Sequence, residues 1–153
     1  MGAAADTIDN KLAADGPIYV TMRIDQQTFA IEVKNVRDVL RPQKITPILL
    51  APPEVAGSIN LRGRIITVID LRRRLNLPPL PAGASSNIVV VELKGELYSL
   101  IVDSVGDVLT TSLSMIDMVP ANLSPAWKAI ASAIYKLEND LIILVEVKTL
   151  LKL

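Results

Sequence analysis

The chain repeats itself, and the repeat leaves few folds open. Residues 19–40, YVTMRIDQQTFAIEVKNVRDVL, align without a gap on residues 88–109, IVVVELKGELYSLIVDSVGDVL. Val20, Met22 and Ile24 fall on Val89, Val91 and Leu93, and Phe29, Ile31 and Val33 fall on Tyr98, Leu100 and Val102. Val36, Asp38, Val39 and Leu40 fall on Val105, Asp107, Val108 and Leu109. Residues 60–75, NLRGRIITVIDLRRRL, then align on residues 136–151, KLENDLIILVEVKTLL, with Leu61 on Leu137 and Gly63 on Asn139. A repeat of this length is one supersecondary plan used twice.

The period of the repeat is two. Apolar residues at alternate positions place one face of a strand against a core. The short polar breaks, DQQT and KGEL, are hairpin turns, and Gly95 is suited to positive φ there. Each copy therefore opens with an antiparallel hairpin. It closes with a second hairpin, whose turn carries Gly63 or Asn139, the two residue types most at home at positive φ. The tails LRRRL and VKTLL fit a helical turn or two. Between the matched segments each copy has room for one more short strand, around residues 44–49 and 115–118. Aromatic residues make up only 3% of the chain, so the core falls to Val, Ile and Leu, which favour strands. Five strands per copy and no long helix predict a mostly β protein of two small barrels or curled sheets. The first repeat spans about residues 17–77 and the second about 87–153. PPLPAGASS, residues 78–86, links them, and exchange of strands or tails between the barrels stays open. Residues 1–16 read as a flexible tail.

The missing residue types exclude more than the present ones reveal. The chain has no cysteine and no histidine. Disulfides, thiolate nucleophiles, histidine metal sites, Ser-His-Asp catalysis and phosphohistidine chemistry all fall away. An enzyme would have to work with carboxylates, Lys or Tyr, and no cofactor or metal is implied. Lys and Arg together number 16, as do Asp and Glu, so no global field favours nucleic acid or an anionic membrane. No apolar run approaches the roughly 18 residues needed to span a bilayer. The N-terminus lacks the basic start and apolar stretch of a signal peptide, and Asp6 occupies the position where myristoylation needs Ser or Thr. The run Arg72, Arg73 and Arg74 has no aromatic partners, and a solvated strand end is its expected role. Asp70 and Asp103 read as ion-pair or turn residues. One face of the second hairpin, with Ile88, Val90 and Ile101, is more apolar than its counterpart with Thr21 and Glu32. That predicts cover from the other barrel, or else a protein-binding face.

Three ordered segments carry a resemblance to a family. GSINLRGRIITVIDLRRRL, residues 57–75, resembles the signature of CheW-type chemotaxis coupling proteins. FAIEVKNVRDVLRPQKITPI resembles the segment before it, and LIVDSVGDVLTTSLSMI its counterpart in the second half. Together they cover residues 18 to 152. The chain departs from the family pattern at Asp38, where Glu is common, at Ala133 and Glu146, and across residues 122–128.

The resemblance implies two SH3-like five-stranded β barrels and an adaptor without catalysis, held in the cytoplasm and recruited to membrane-associated receptor arrays. Its implied partners are the cytoplasmic hairpin tip of a methyl-accepting chemoreceptor, the regulatory domain of the histidine kinase CheA, and further CheW copies in arrays. It implies neither nucleic-acid binding nor membrane insertion. Related pilus and gliding pathways use similar proteins. It also implies a receptor-binding surface at Val36, Asp38, Gly57 and Arg62. An apolar anchor such as Val36 and a few directional polar groups are what an antiparallel helical hairpin requires of a groove. Gly57 would leave room for close backbone approach. The acidic residue at Asp38 is expected to meet Arg62 and orient its guanidinium fork. Val33, Val36, Val39 and Leu40 are expected to face inward. The competing class is a small β barrel that binds nucleic acid or a ligand, which would need a basic, aromatic-bearing groove.

Overall fold

The computed structural model describes residues 13–152. The first copy supplies β1 (Ile18–Ile24), β2 (Gln27–Glu32), β3 (Val36–Leu40), β4 (Val55–Leu61), β5 (Arg64–Asp70) and α1 (Leu71–Arg74). The second supplies β6 (Asn87–Leu93), β7 (Glu96–Val102), β8 (Ser104–Thr110), β9 (Ile116–Asp117), α2 (Pro125–Ile130), β10 (Ala131–Leu137), β11 (Asp140–Val145) and α3 (Val147–Leu150). Shifted by the offsets of the two alignments, β1 becomes β6, β4 becomes β10 and α1 becomes α3, end for end.

The two sheets are not the two copies. One sheet runs β8-β1-β2-β11-β10-β9 and the other β3-β6-β7-β5-β4. Each is built around the first hairpin of the opposite copy. The pairing repeats in register: Val20 faces Val108 where Val89 faces Val39, and Met22 faces Val105 where Val91 faces Val36. The parallel seams β2–β11 and β5–β7 correspond in the same way, with Phe29 opposite Ile143 and Tyr98 opposite Thr67. A division of the chain at residues 78–86 therefore does not separate the sheets. The fold is mostly β as expected, but the sheets have five and six strands, and neither strand order closes on itself.

The exchanged hairpins are covered on both faces. Val20, Met22, Ile24, Phe29 and Ile31 of one hairpin meet Val89, Val91, Leu100 and Val102 of the other in a core between the sheets. Leu71 and Leu75, Val147 and Leu150, and Trp127 and Ile130 complete it from α1, α3 and α2 and their ends. The rings of Trp127 and Phe29 lie 5.5 Å apart, tilted by 49°. The other hairpin faces line separate interiors. Tyr19, Ala30, Tyr135, Ile142 and Leu144 fill the six-stranded sheet; Ile59, Ile66, Val68, Ile88 and Val90 fill the five-stranded one, with Leu40, Ile45, Leu97 and Ile101 packed against them. Ile88, Val90 and Ile101 are thus covered by the curl of their own sheet, neither by the other barrel nor by a partner-facing surface. Their extra apolarity matches an interior with more apolar neighbours.

Several local expectations change. The strand expected at residues 44–49 shrinks to one bridge, Thr46 to Ser58. Its counterpart is β9, whose Asp117 pairs with Ile134, the residue aligned with Ser58. Prolines and Leu50 at positive φ keep the first loop irregular. Asn139 is not among the positive-φ residues, whereas Arg62 and Gly63 both are, at 52° and 85°. Helix α2 was not anticipated; Pro125 starts it, and Trp127 and Ile130 are its buried side chains. Val33 and Val39 are 41% and 42% exposed: Val33 lies in a 3-10 turn, and β3 shifts register between Val36 and Asp38, which sends Val39 outward. Of the expected tail, residues 1–12 lie outside the described residues. At its end Gly16 donates to the Thr111 carbonyl at 3.0 Å and Asp15 accepts from the Leu113 amide at 2.9 Å.

One buried group is out of place. Ser99 lies in the centre of the five-stranded sheet between Val90 and Val68, fully buried, and its hydroxyl has no hydrogen-bond partner. Its counterpart in the other copy is Ala30. Ser99→Ala is expected to raise stability by up to about 1 kcal/mol, because it removes an unsatisfied buried hydroxyl. The check is a higher urea midpoint at unchanged m-value; a lower midpoint would contradict it.

Candidate functional site

The five-stranded sheet has an open seam, and a charge pair spans it. Strands β3 and β4 are its two edges, and the curl of the sheet brings them toward each other. Asp38 projects from β3. Arg62 stands on the two-residue turn between β4 and β5, which the Asn60 side chain fastens by accepting from the Gly63 amide at 3.0 Å. Arg62 Nη2 donates to Asp38 Oδ2 at 3.3 Å. The other Asp38 oxygen accepts from the Val39 amide at 2.9 Å, which fixes the carboxylate. The Arg62 side chain is 78% exposed and that of Asp38 is 30% exposed. Such a pair contributes about 0–1 kcal/mol to stability. It holds a guanidinium in a set direction while leaving most of its donors free. Beside Asp38, Arg37 is ion-paired to Glu92. Val39 and Ile65 add exposed apolar surface next to Asp38 and Arg64.

The remaining two residues implied by the resemblance stand differently. Val36 is half-buried and packs on the core between the sheets. Gly57 is buried with φ +149°, and a Cβ there would lie 2.2 Å from the Thr46 carbonyl oxygen. The close backbone approach that Gly57 permits is made by the chain's own Thr46, which exchanges two 2.8 Å hydrogen bonds with Ser58. The geometry brings Asp38 and Arg62 together and sets Val36 and Gly57 behind them as supports of β3 and of the loop of residues 41–54.

The copies diverge at this seam. In the six-stranded sheet the counterparts of Asp38 and Arg62 are Asp107 and Glu138, which cannot pair. A cavity of about 320 Å³ lies there, lined by Thr21, Arg23, Thr28, Asp107, Leu137 and Asp140 among others.

The arginine run is not a solvated strand end. Arg72 grips Asp103 with two parallel bonds, Nε to Oδ1 at 2.9 Å and Nη2 to Oδ2 at 2.6 Å. It also donates to the Pro78 carbonyl at 2.7 Å, and the two side chains are only 13% and 20% exposed. Arg74 donates to the carbonyls of Leu150 at 3.2 Å and Lys152 at 3.3 Å, at the end of α3. Only Arg73 remains largely exposed, near Asp70. Asp70 caps α1 by accepting from the Arg72 amide at 3.0 Å and from the Arg73 amide at 3.4 Å. The aligned pairs Arg72 with Lys148 and Asp103 with Lys34 carried the signal in the sequence: the first copy's cation is kept, but the carboxylate it meets is replaced by a lysine, so only one joint can form the pair. Burial alone would push the Asp103 carboxyl up. The hydrogen bonds from Arg72 and from the Asp25 amide, with the Arg72 charge, outweigh burial and hold it below the ordinary carboxylate value. Hydrogen bonding to Asp103 correspondingly raises Arg72.

Among the described residues no group of three carboxylates could hold a metal ion. No described helix is long and apolar enough to cross a membrane. The family model of the CheW-like domain matches residues 19–153. The chain belongs to the CheW family. It is 30% identical over 131 residues to a probable chemotaxis protein CheW of Rhizobium etli, covering 86% of this chain and 84% of that one. Identity is also 30% to the chemotaxis protein CheW of Bacillus subtilis, over 136 residues, with 89% and 87% covered. The crystal structure of the scaffolding protein TtCheW from Thermoanaerobacter tengcongensis superposes with a TM-score of 0.80 at 28% identity, over 90% of this chain and 93% of that one. The two curled sheets are thus the two SH3-like β domains of a CheW protein, and the chain is a non-catalytic scaffold of chemotaxis signalling.

Two outcomes follow from the CheW geometry. Gly57→Ala strains a left-handed backbone and drives a methyl into Thr46, so it is expected to destabilise by more than about 1 kcal/mol, measured by thermal melting. Because the Asp103 pKa is depressed in the fold, its contribution is complete above the ordinary carboxylate value of 3.8 and is lost as pH falls through the folded value. Wild type should exceed Asp103→Asn in stability at neutral pH. The difference should close below about pH 4, read from urea titrations across pH.

Proposed function

We propose that this chain couples the cytoplasmic signalling tips of chemoreceptors to the histidine kinase CheA, and that Val36, Asp38, Gly57 and Arg62 serve the receptor contact. The observation that carries this reading is the Asp38–Arg62 pair across the seam of the five-stranded sheet. It offers an oriented guanidinium, a fixed carboxylate and neighbouring exposed apolar side chains in one place, the combination with which a surface holds a helical hairpin. Val36 and Gly57 act from behind, by seating β3 and the loop that carries Thr46. The same reading places the protein in the cytoplasm, recruited to receptor arrays together with the kinase regulatory domain and further copies of the chain. Family membership over nearly the whole chain supports the coupling role.

The test is a pull-down with a receptor signalling fragment and the kinase regulatory domain. Arg62→His and Asp38→Lys are expected to weaken receptor capture about tenfold, on the order of 1.4 kcal/mol, with cooperative melting retained. Unchanged capture by well-folded variants would remove both residues from the receptor surface.

A further inference from the structure

The exchange of hairpins creates two corresponding joints between the sheets, and they are built from opposite chemistry. At each joint the chain crosses from one sheet to the other beside the turn of the other copy's first hairpin and the short helix that ends the second hairpin. At the first joint these places hold Asp103, Asp25 and Arg72. Asp103 lies between β7 and β8, where the chain passes from the five-stranded to the six-stranded sheet. Its amide donates to the Arg23 carbonyl at 3.0 Å, and its carboxylate accepts from the Asp25 amide at 2.9 Å. Arg72, at the end of the five-stranded sheet, closes on the same carboxylate with both arms of its fork and lies 3.9 Å from the Asp25 carboxylate. One half-buried group thus ties α1, the crossover, the tip of the β1–β2 hairpin and the start of the linker at Pro78.

The second joint stands at the corresponding crossover, here a 3-10 turn at Val33–Asn35, and has no such tie. The counterparts of Asp103, Asp25 and Arg72 are Lys34, Lys94 and Lys148. All three are exposed and carry the same charge. Lys34 turns to Glu32 at 3.6 Å, on its own strand's end. Instead of a sealed contact there is a cavity of about 270 Å³, lined by Lys34, Lys148, Glu32, Glu146, Leu93 and Val147 among others. Glu146, the counterpart of Asp70, makes no side-chain cap on α3.

We propose that Arg72 is a positioning residue whose fork, through Asp103, fixes the angle between the two sheets at one joint, while the lysine-bearing joint is the place where that angle can change. The two sheets then move as bodies about the clamped side, with the cavity side widening or narrowing. A bidentate guanidinium–carboxylate pair fixes direction as well as distance. Lys34 and Lys148, set with Glu32 and Glu146 around an open cavity and not locked to each other, impose neither. Motion of packed bodies about a few fixed contacts is an established way for a two-part fold to respond to a partner.

The chain's lack of cysteine makes the test direct. Cysteines at two exposed positions, Arg64→Cys on the five-stranded sheet and Lys136→Cys on the six-stranded one, carry spin labels, and the distribution of label distances reports the inter-sheet angle. Arg72→Gln is expected to broaden that distribution while leaving the strand content unchanged. Lys148→Ala at the other joint is expected to leave it as it is. Lys34→Asp combined with Lys148→Arg installs the missing pair and is expected to narrow it. If Arg72→Gln does not fold, Arg72→Lys, which keeps the charge and loses the fork, is read by the same criterion. An unchanged width in the folded Arg72 variant overturns the proposal even where Tm falls, since a fork that only adds stability would lower Tm and leave the angle alone. An unchanged width in Lys34→Asp with Lys148→Arg overturns the assignment of the lysine joint as the place of movement.

Discussion

The exchange of the first hairpins is the constraint on which the rest of the molecule depends. A hairpin that stayed with its own copy could leave one face to solvent. Here β1–β2 sits between β8 and β11 while β6–β7 sits between β3 and β5, so each hairpin is central in a sheet made mainly by the other copy. Central strands of a curled sheet stacked on a second sheet must be apolar on both faces. Alternate residues divide the work: Val20, Met22 and Ile24 face the other sheet, whereas Tyr19 lines the inside of its own. The crossovers at Val33–Asn35 and Asp103 follow from the same exchange, because each copy must pass from one sheet to the other between its second and third strands. The core between the sheets, the two joints and the free edges at β3 and β4 are all consequences of that single arrangement.

Where the copies agree, they describe this scaffold; where they differ, they describe what each part has been fitted to do. The registers of the aligned strands coincide. Two differences in charge stand out, one at the seams and one at the joints. At the seams, Asp38 with Arg62 gives attraction and an oriented cation, whereas Asp107 and Glu138 cannot pair and a cavity lies beside Asp107. At the joints, Arg72 with Asp103 gives a fixed contact, whereas Lys148 with Lys34 gives none. An exposed pair such as Asp38 with Arg62 changes stability little, so a difference in stability is a weak explanation for keeping it on one copy alone. Direction is the stronger one, because a guanidinium held by a carboxylate presents its remaining donors in one orientation.

Much of this was legible in the sequence, and the limits have physical causes. Alternation at period two marked the hairpin strands, because half-buried strands must alternate. The alignment of the copies placed the short helices, since LRRRL and VKTLL share an apolar spacing. Exchange was not decidable from pattern, because an apolar face looks the same whichever copy covers it; Val90 faces its own sheet's interior, where the sequence pointed elsewhere. The contact of Asp38 with Arg62 was legible only through the family resemblance, as 24 positions of sequence, a long loop and β4 separate them. The arginine run misled because three consecutive charges look solvated, yet on a helical turn they point in three directions. Arg72 meets Asp103, Arg74 meets the end of α3, and only Arg73 is left to solvent. The residues of α2 were unreadable as a helix because a six-residue segment shows too little periodicity, and Trp127 is drawn in by the ring of Phe29.

Gly57 shows how support and contact divide within one site. Its backbone lets Thr46 approach as a bridge, and that bridge is all that remains of the strand corresponding to β9. The loop of residues 41–54 is therefore held mid-way by Thr46, with Ile45 packed beneath it and the Glu54 carbonyl accepting from the Asp70 amide at its end, while Leu49 and Leu50 stand outward at its turn. A side chain at position 57 would act on the loop before it acted on any partner. Arg62 lies on the turn at the far end of β4 and reaches across the seam to Asp38. Substitutions at these two positions reach the same surface by different routes: one removes a donor from a standing scaffold, and the other disturbs the scaffold that holds the donor. Loss of binding at Gly57 thus speaks for the loop, and loss at Arg62 for the contact itself.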